Sequence, residues 1–220
     1  MRFQIKSHTL SYSKLTLPVI WQVLFVLSCF LFPESYYIYT NFFFYLGIII
    51  YFYMIGYFDF KSLFNNLKKG KKFWIPVLWT GLAMTAAFFL SVYISTLFPN
   101  IDDEMIHLSR DNYFKLIIFA VSTIIFPPIA EEIFYRKAFI RFNNKKILIL
   151  SSIIGMFLYA LEHSLALLGI IETMIIAVPL TVSYIKTKNV YVTMTAHFLV
   201  NLIGNGITVV LTAIYLSQNI

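Results

Sequence analysis

At 220 residues, with 60% hydrophobic and only 12% charged side chains, the chain is too apolar for a water-soluble domain of its length. Its formal charge of +7 is gathered in short stretches between apolar runs. That pattern sets membrane topology and excludes the broad basic face of a nucleic-acid binder. Cys29 is the only cysteine, so no intrachain disulfide and no cysteine metal cluster can form. Its apolar surroundings make it a packing residue.

A hydrocarbon core of about 30 Å takes roughly 20 helical residues to cross. The first apolar run, 15–32, follows Arg2, Lys6 and Lys14 and resembles a signal segment in its flanks. It is long for one, and "SCFLFPES" offers no small-x-small cleavage site, so it reads as a retained span. Runs at 36–58 and 73–98 follow; the Phe and Tyr residues at 42–45 read as lipid-facing packing, and the lysines at 68–72 as a topology signal with affinity for anionic lipid. Residues 1–112 thus form three N-terminal spans without a diagnostic motif. Beyond them come runs at 113–140 and 190–216. Between these, 147–185 is too long for one span and divides into two helices, with a tight connection near Ser164 to Glu172 where Gly169 helps the chain turn. The expectation is an all-α, polytopic helical bundle of about seven spans, one membrane domain over residues 1–220.

The loops support this count. The N-terminal tail, the 59–72 loop, the 136–146 region and the Lys186/Lys188 connection hold 15 of the 17 basic residues, all on one side of such a bundle. The alternate loops carry Glu34 and then Asp102, Asp103, Glu104 and Asp111. Cytoplasmic loops are the basic ones, so the N-terminus is expected inside and the C-terminus outside. Residue usage rich in Lys, Asn, Ile and Phe fits a bacterial cell membrane.

Ionisable groups at membrane depth are costly unless paired or watered, which makes each a functional candidate. They are Glu131, Glu132, Glu162, His163, Glu172 and His197, with polar Asn201 among them and Arg136 at the margin. Glu162 and Glu172 read as carboxylates near the outer end of a span, where water is cheaply reached. Counted at about 1.5 Å per residue from helix ends near Asn143 and Lys188, Glu131, His197 and Asn201 come out roughly 14–20 Å deep. His163, counted from Lys146, comes out at about 25 Å, several ångström too deep. His197 and Asn201 share a helix face at i,i+4, as do Glu132 and Arg136, which can form an ion pair. Glu131 then points about 100° away and is free for chemistry. Pro127 and Pro128 lie one turn upstream, where they remove backbone donors and open space beside it. A carboxylate and two imidazoles in a dry bundle suit the activation of water against a carbonyl, with Asn201 as a neutral oxyanion donor. No GxSxG or HExxH offers another hydrolytic route, and a Glu/His zinc site stays open.

In this order the residues resemble the CPBP family, the CAAX proteases and bacteriocin-processing enzymes also called Abi proteins. EExxxR stands as "EEIFYR" (131–136), FxxxH as "YALEH" (159–163) with Tyr159 in place of Phe, and HxxxN as "HFLVN" (197–201). The resemblance covers residues 113–206, the expected catalytic core. It implies that Glu131 and His163 activate water, that His197 and Asn201 form the oxyanion site, and that Glu132 and Arg136 support them. It also implies that no metal cofactor is needed, with zinc the less favoured alternative. The substrate would be a peptide or protein tail entering from the cytoplasmic side, such as a bacteriocin or signalling-peptide precursor, or one met in self-immunity. Two further readings are a non-catalytic bacteriocin immunity protein that acts by binding in the membrane, and a small proton-relaying transporter.

Overall fold

The computed structural model describes residues 10–218. Arg2 and Lys6, part of the expected N-terminal basic tail, lie outside the described residues. Eight helices follow one another: α1 (Tyr12–Leu31), α2 (Tyr37–Met54), α3 (Phe60–Leu67), α4 (Lys71–Leu97), α5 (Tyr113–Ala138), α6 (Lys145–Ala160), α7 (Leu167–Thr187) and α8 (Val190–Gln218). Six of them, α1, α2, α4, α5, α7 and α8, are long and apolar enough to cross a membrane. The chain is a multi-pass membrane protein. The seventh expected span, α6, has only 16 residues and reaches about 24 Å.

Short polar residues start the helices that need a cap. Asn112 accepts from the Lys115 N–H (2.9 Å), Asn144 from Ile147 (2.9 Å) and Asp59 from Ser62 (2.7 Å). The last of these creates α3, an eight-residue helix in what the sequence reads as a plain basic loop. Its Phe60 and Phe64 stay exposed, as suits a short helix lying at the membrane surface.

α4 packs along α7 and α8, α6 against α7, α1 against α2, and α2 against α5. α5 is not a uniform rod. Proline has no N–H, so Pro127 and Pro128 cannot continue the i→i−4 ladder. The helix widens into π turns at Val121–Ile125 and again at Glu132–Ala138. Such turns recur at functional sites because they re-aim side chains.

The short α6 has a further consequence. It stops at Ala160, leaving His163 in the turn beyond, where its N–H bonds the Ala160 carbonyl (3.0 Å). The excess depth counted for His163 came from assuming a longer helix. Segment 98–112, between α4 and α5, descends to meet this turn: the Ile106 N–H donates to the His163 carbonyl (2.8 Å) and the Ser164 hydroxyl to the Asp103 carbonyl (2.5 Å). Gly169 does not turn the chain. It lies inside α7, where a Cβ would come within 2.3 Å of both the Asp103 carbonyl oxygen and Ser164 Oγ, so its bare Cα lets the descending segment approach.

Candidate active site

Each motif residue occupies a position that its helix irregularities explain. Glu131 ends the regular part of α5 that begins at the two prolines, and Glu132 opens the π turn. Both side chains are buried, at 1% and 0% exposure. Glu131 Oε1 accepts a hydrogen bond from the Tyr45 hydroxyl of α2 (2.6 Å), while Oε2 takes none from the described residues. An orphan carboxylate oxygen in so dry a place is costly, and it is the atom free to accept a proton.

Glu132 forms the expected pair with Arg136, Oε1 to Nη1 at 3.1 Å, and does more. The same oxygen lies 3.2 Å from His197 Nδ1. A carboxylate only accepts, so Nδ1 carries the hydrogen and Nε2 is turned toward Glu131 Oε2, 3.8 Å away. The line Arg136–Glu132–His197 therefore orients the imidazole that faces the free glutamate. The Arg136 guanidinium also stacks on the Tyr159 ring at 4.6 Å, and the His163 ring lies against the same tyrosine at 4.7 Å. Tyrosine at the FxxxH position thus still supplies the aromatic face. His163 Nδ1 lies 3.1 Å from the Tyr159 carbonyl oxygen, which fixes the ring.

Glu131, His163, His197 and Asn201 line a single cavity of about 390 Å³, together with Tyr45 and Glu162. Asn201 is not wholly free. Its Nδ2 donates to the Thr123 carbonyl at 2.9 Å, and Asn205, one turn on, donates to the same oxygen at 3.2 Å. Thr123 lies four residues before Pro127, so its carbonyl is the acceptor that the proline leaves without a helical donor. Two asparagines on α8 supply the missing hydrogens, and Asn201 keeps one amide hydrogen for the cavity.

Several readings of the sequence need correction. Glu162 does not sit at the exposed outer end of a span: it is buried, lines the cavity and accepts from the Tyr135 hydroxyl. Glu172 is buried as well and accepts from the Ser95 hydroxyl. In the 42–45 run only Phe43 is lipid-exposed, while Phe44 and Tyr45 belong to the core. Tyr45 was missed because a tyrosine among phenylalanines carries no local signal. The period of Asn41, Tyr45, Ile48 and Phe52 marks the inner face of α2, not the carboxylate it meets.

The cavity also does not face the basic loops. Its walls come from the acid-loop half of the bundle, including residues 105–108 and Arg110 of the descending segment, Tyr159 to His163, and Asn201 and Asn205. Toward the basic loops the helices close on two buried apolar clusters, Phe73/Val77/Val192/Ala196 and Ile140/Tyr184/Val190. A cytoplasm-facing mouth, expected from the sequence, is thus replaced by a packed floor.

Among the described residues, no group of three or more His, Cys, Asp or Glu side chains is arranged to hold a metal ion.

Compared with known families, residues 113–203 match the family model described as type II CAAX prenyl endopeptidase Rce1-like. No curated protein and no solved structure matches the chain.

Proposed function

We propose that this chain, over residues 113–203 a member of the CAAX-type intramembrane proteases, hydrolyses a peptide bond with a glutamate-activated water. The observation that carries the reading is the unpartnered Glu131 Oε2, buried at a cavity beside an oriented His197. Glu131 takes a proton from water held by His163, and the water oxygen bonds to the substrate carbonyl carbon. The carbonyl oxygen, now anionic, is received by the remaining amide hydrogen of Asn201 on the edge it shares with His197. Collapse breaks the C–N bond, and the proton on Glu131 passes to the departing amine. The products are a carboxylic acid and an amine, and no co-reactant besides water is consumed.

The lining of the cavity by residues of segment 98–112 supports entry from that face. The substrate is a peptide, or the tail of a membrane protein, presented at the face that carries the acidic segment 98–112. By the distribution of basic loops this is the outer face of a bacterial cell membrane. A bacteriocin or signalling peptide being processed, or met in self-immunity, has that character.

The test is cleavage of a candidate peptide by the purified protein in liposomes, comparing wild type with Glu131→Gln at equal abundance. A loss of about 10²–10⁴-fold is expected. Equal cleavage by both proteins would overturn the reading. Absent cleavage, together with cellular protection that survives Glu131→Gln, would favour an immunity protein acting by binding.

A further inference from the structure

α1 and α6 make a groove that shares no lining residue with the active-site cavity and whose chemistry the protease reading does not use. The helices are tied together by the Gln22 amide, which donates to the Leu158 carbonyl (2.5 Å). Between that tie and the basic loops lies a groove of about 580 Å³, walled by Leu15 and Val19 of α1, Leu150 and Ile154 of α6, and Phe139. At its loop end sits Arg141.

Arg141 is only 7% exposed, and its Nη2 has no hydrogen-bond partner among the described residues. The guanidinium lies over the Tyr12 ring at 4.9 Å, and no carboxylate among the described residues lies within ion-pair distance of it. Guanidinium groups keep their charge in proteins. A buried charge without a counter-ion is strongly unfavourable, so the site calls for an anion. Residues 1–9, which precede α1, contain no Asp or Glu and cannot supply one.

We propose that this groove binds a phospholipid from the leaflet at the basic loops, with an acyl chain between α1 and α6 and the phosphate on Arg141. The shape, the apolar walls and the membrane-facing opening suit a hydrocarbon chain: Ile20 is 49% exposed and Leu150 60%. The planar guanidinium suits a phosphate diester. Lys145 and Lys146, exposed at the start of α6, add positive charge at the same end and favour a headgroup of net negative charge. Occupancy would tie α1 to α6, and through α6 to the turn that carries His163.

The experiment is native mass spectrometry and thermal unfolding of the full chain in a phosphate-free detergent, titrated separately with phosphatidylglycerol, phosphatidylcholine and inorganic phosphate. One tightly held phosphatidylglycerol and a concentration-dependent rise in Tm are expected, with weaker binding of phosphatidylcholine and no shift from inorganic phosphate. Arg141→Gln should weaken phosphatidylglycerol binding about 10-fold or more. Leu150→Trp fills the groove from an exposed position and leaves Arg141 intact, so it keeps the test decisive if Arg141→Gln fails to fold. It should displace the lipid. Phosphatidylglycerol binding unchanged in Leu150→Trp, or an equal response to inorganic phosphate, would overturn the proposal.

Discussion

The half of the bundle near the basic loops and the half near the acidic segment are built from the same helices, yet they end in opposite states. Toward the basic loops α4, α5, α7 and α8 close on Phe73, Val192, Tyr184 and Val190 without a polar opening. Toward the acidic segment they part around a cavity lined by two glutamates and three histidines. What separates the halves is helix irregularity. The prolines and π turns of α5 and the early stop of α6 fall where the cavity is, and each releases backbone groups that side chains then satisfy. A regular bundle of this composition would be dry throughout.

The largest expected effect on this contrast comes from the charge cluster that sits between the halves. Glu132→Ala leaves Arg136 buried without its counter-ion, and a loss of about 3–5 kcal/mol in stability is expected. Replacing both residues by methionine should cost less than Glu132→Ala alone, measured by thermal unfolding in detergent. A double variant worse than the single would mean that the pair contributes more than charge compensation.

Next in size is Gly169→Val. A side chain there meets the Asp103 carbonyl and Ser164 Oγ, so segment 98–112 must lift from the α6–α7 turn. About 1–3 kcal/mol of destabilisation is expected, with faster proteolysis confined to residues 98–112. Unchanged protection of that segment would show that the cavity roof is held elsewhere.

The role of Asn201 can be separated by a double-mutant cycle with Pro127→Ala, which restores the N–H that Thr123 lacks. Asn201→Ala should cost about 1 kcal/mol in the native background and measurably less beside Pro127→Ala. If hydrolysis is lost equally in both backgrounds while stability recovers in the second, the amide also acts on the reacting carbonyl.

The smallest effect belongs to the basic-loop side. Hydrogen bonds from the Ser62 hydroxyl and N–H hold the exposed Asp59 carboxyl below its ordinary 3.8. A depressed folded-state value adds stability above the unfolded value, and that contribution is lost as pH falls through the folded one. Protection of α3 amides relative to Asp59→Asn should therefore shrink below about pH 4, while the cavity half shows no such dependence on Asp59.

Much of this molecule is legible in its residues. Apolar runs mark the six long helices, because a membrane core demands about 20 apolar residues wherever a helix crosses it. The i,i+4 spacing of Glu132 with Arg136 follows from helix geometry alone, and the three motifs all fall within residues 113–203, which match the Rce1-like family model. Tertiary structure decided what spacing cannot reach. That Tyr45 lies against Glu131, that Glu132 orients His197, and that Asn201 and Asn205 replace the donor missing at Pro127 are contacts across 65 to 86 residues of chain. The direction of the cavity was decided the same way. Charge in loops reports which side of the membrane they occupy, but where helices part depends on where each one breaks and on which side chains fill the gap, and those are properties of the packed bundle.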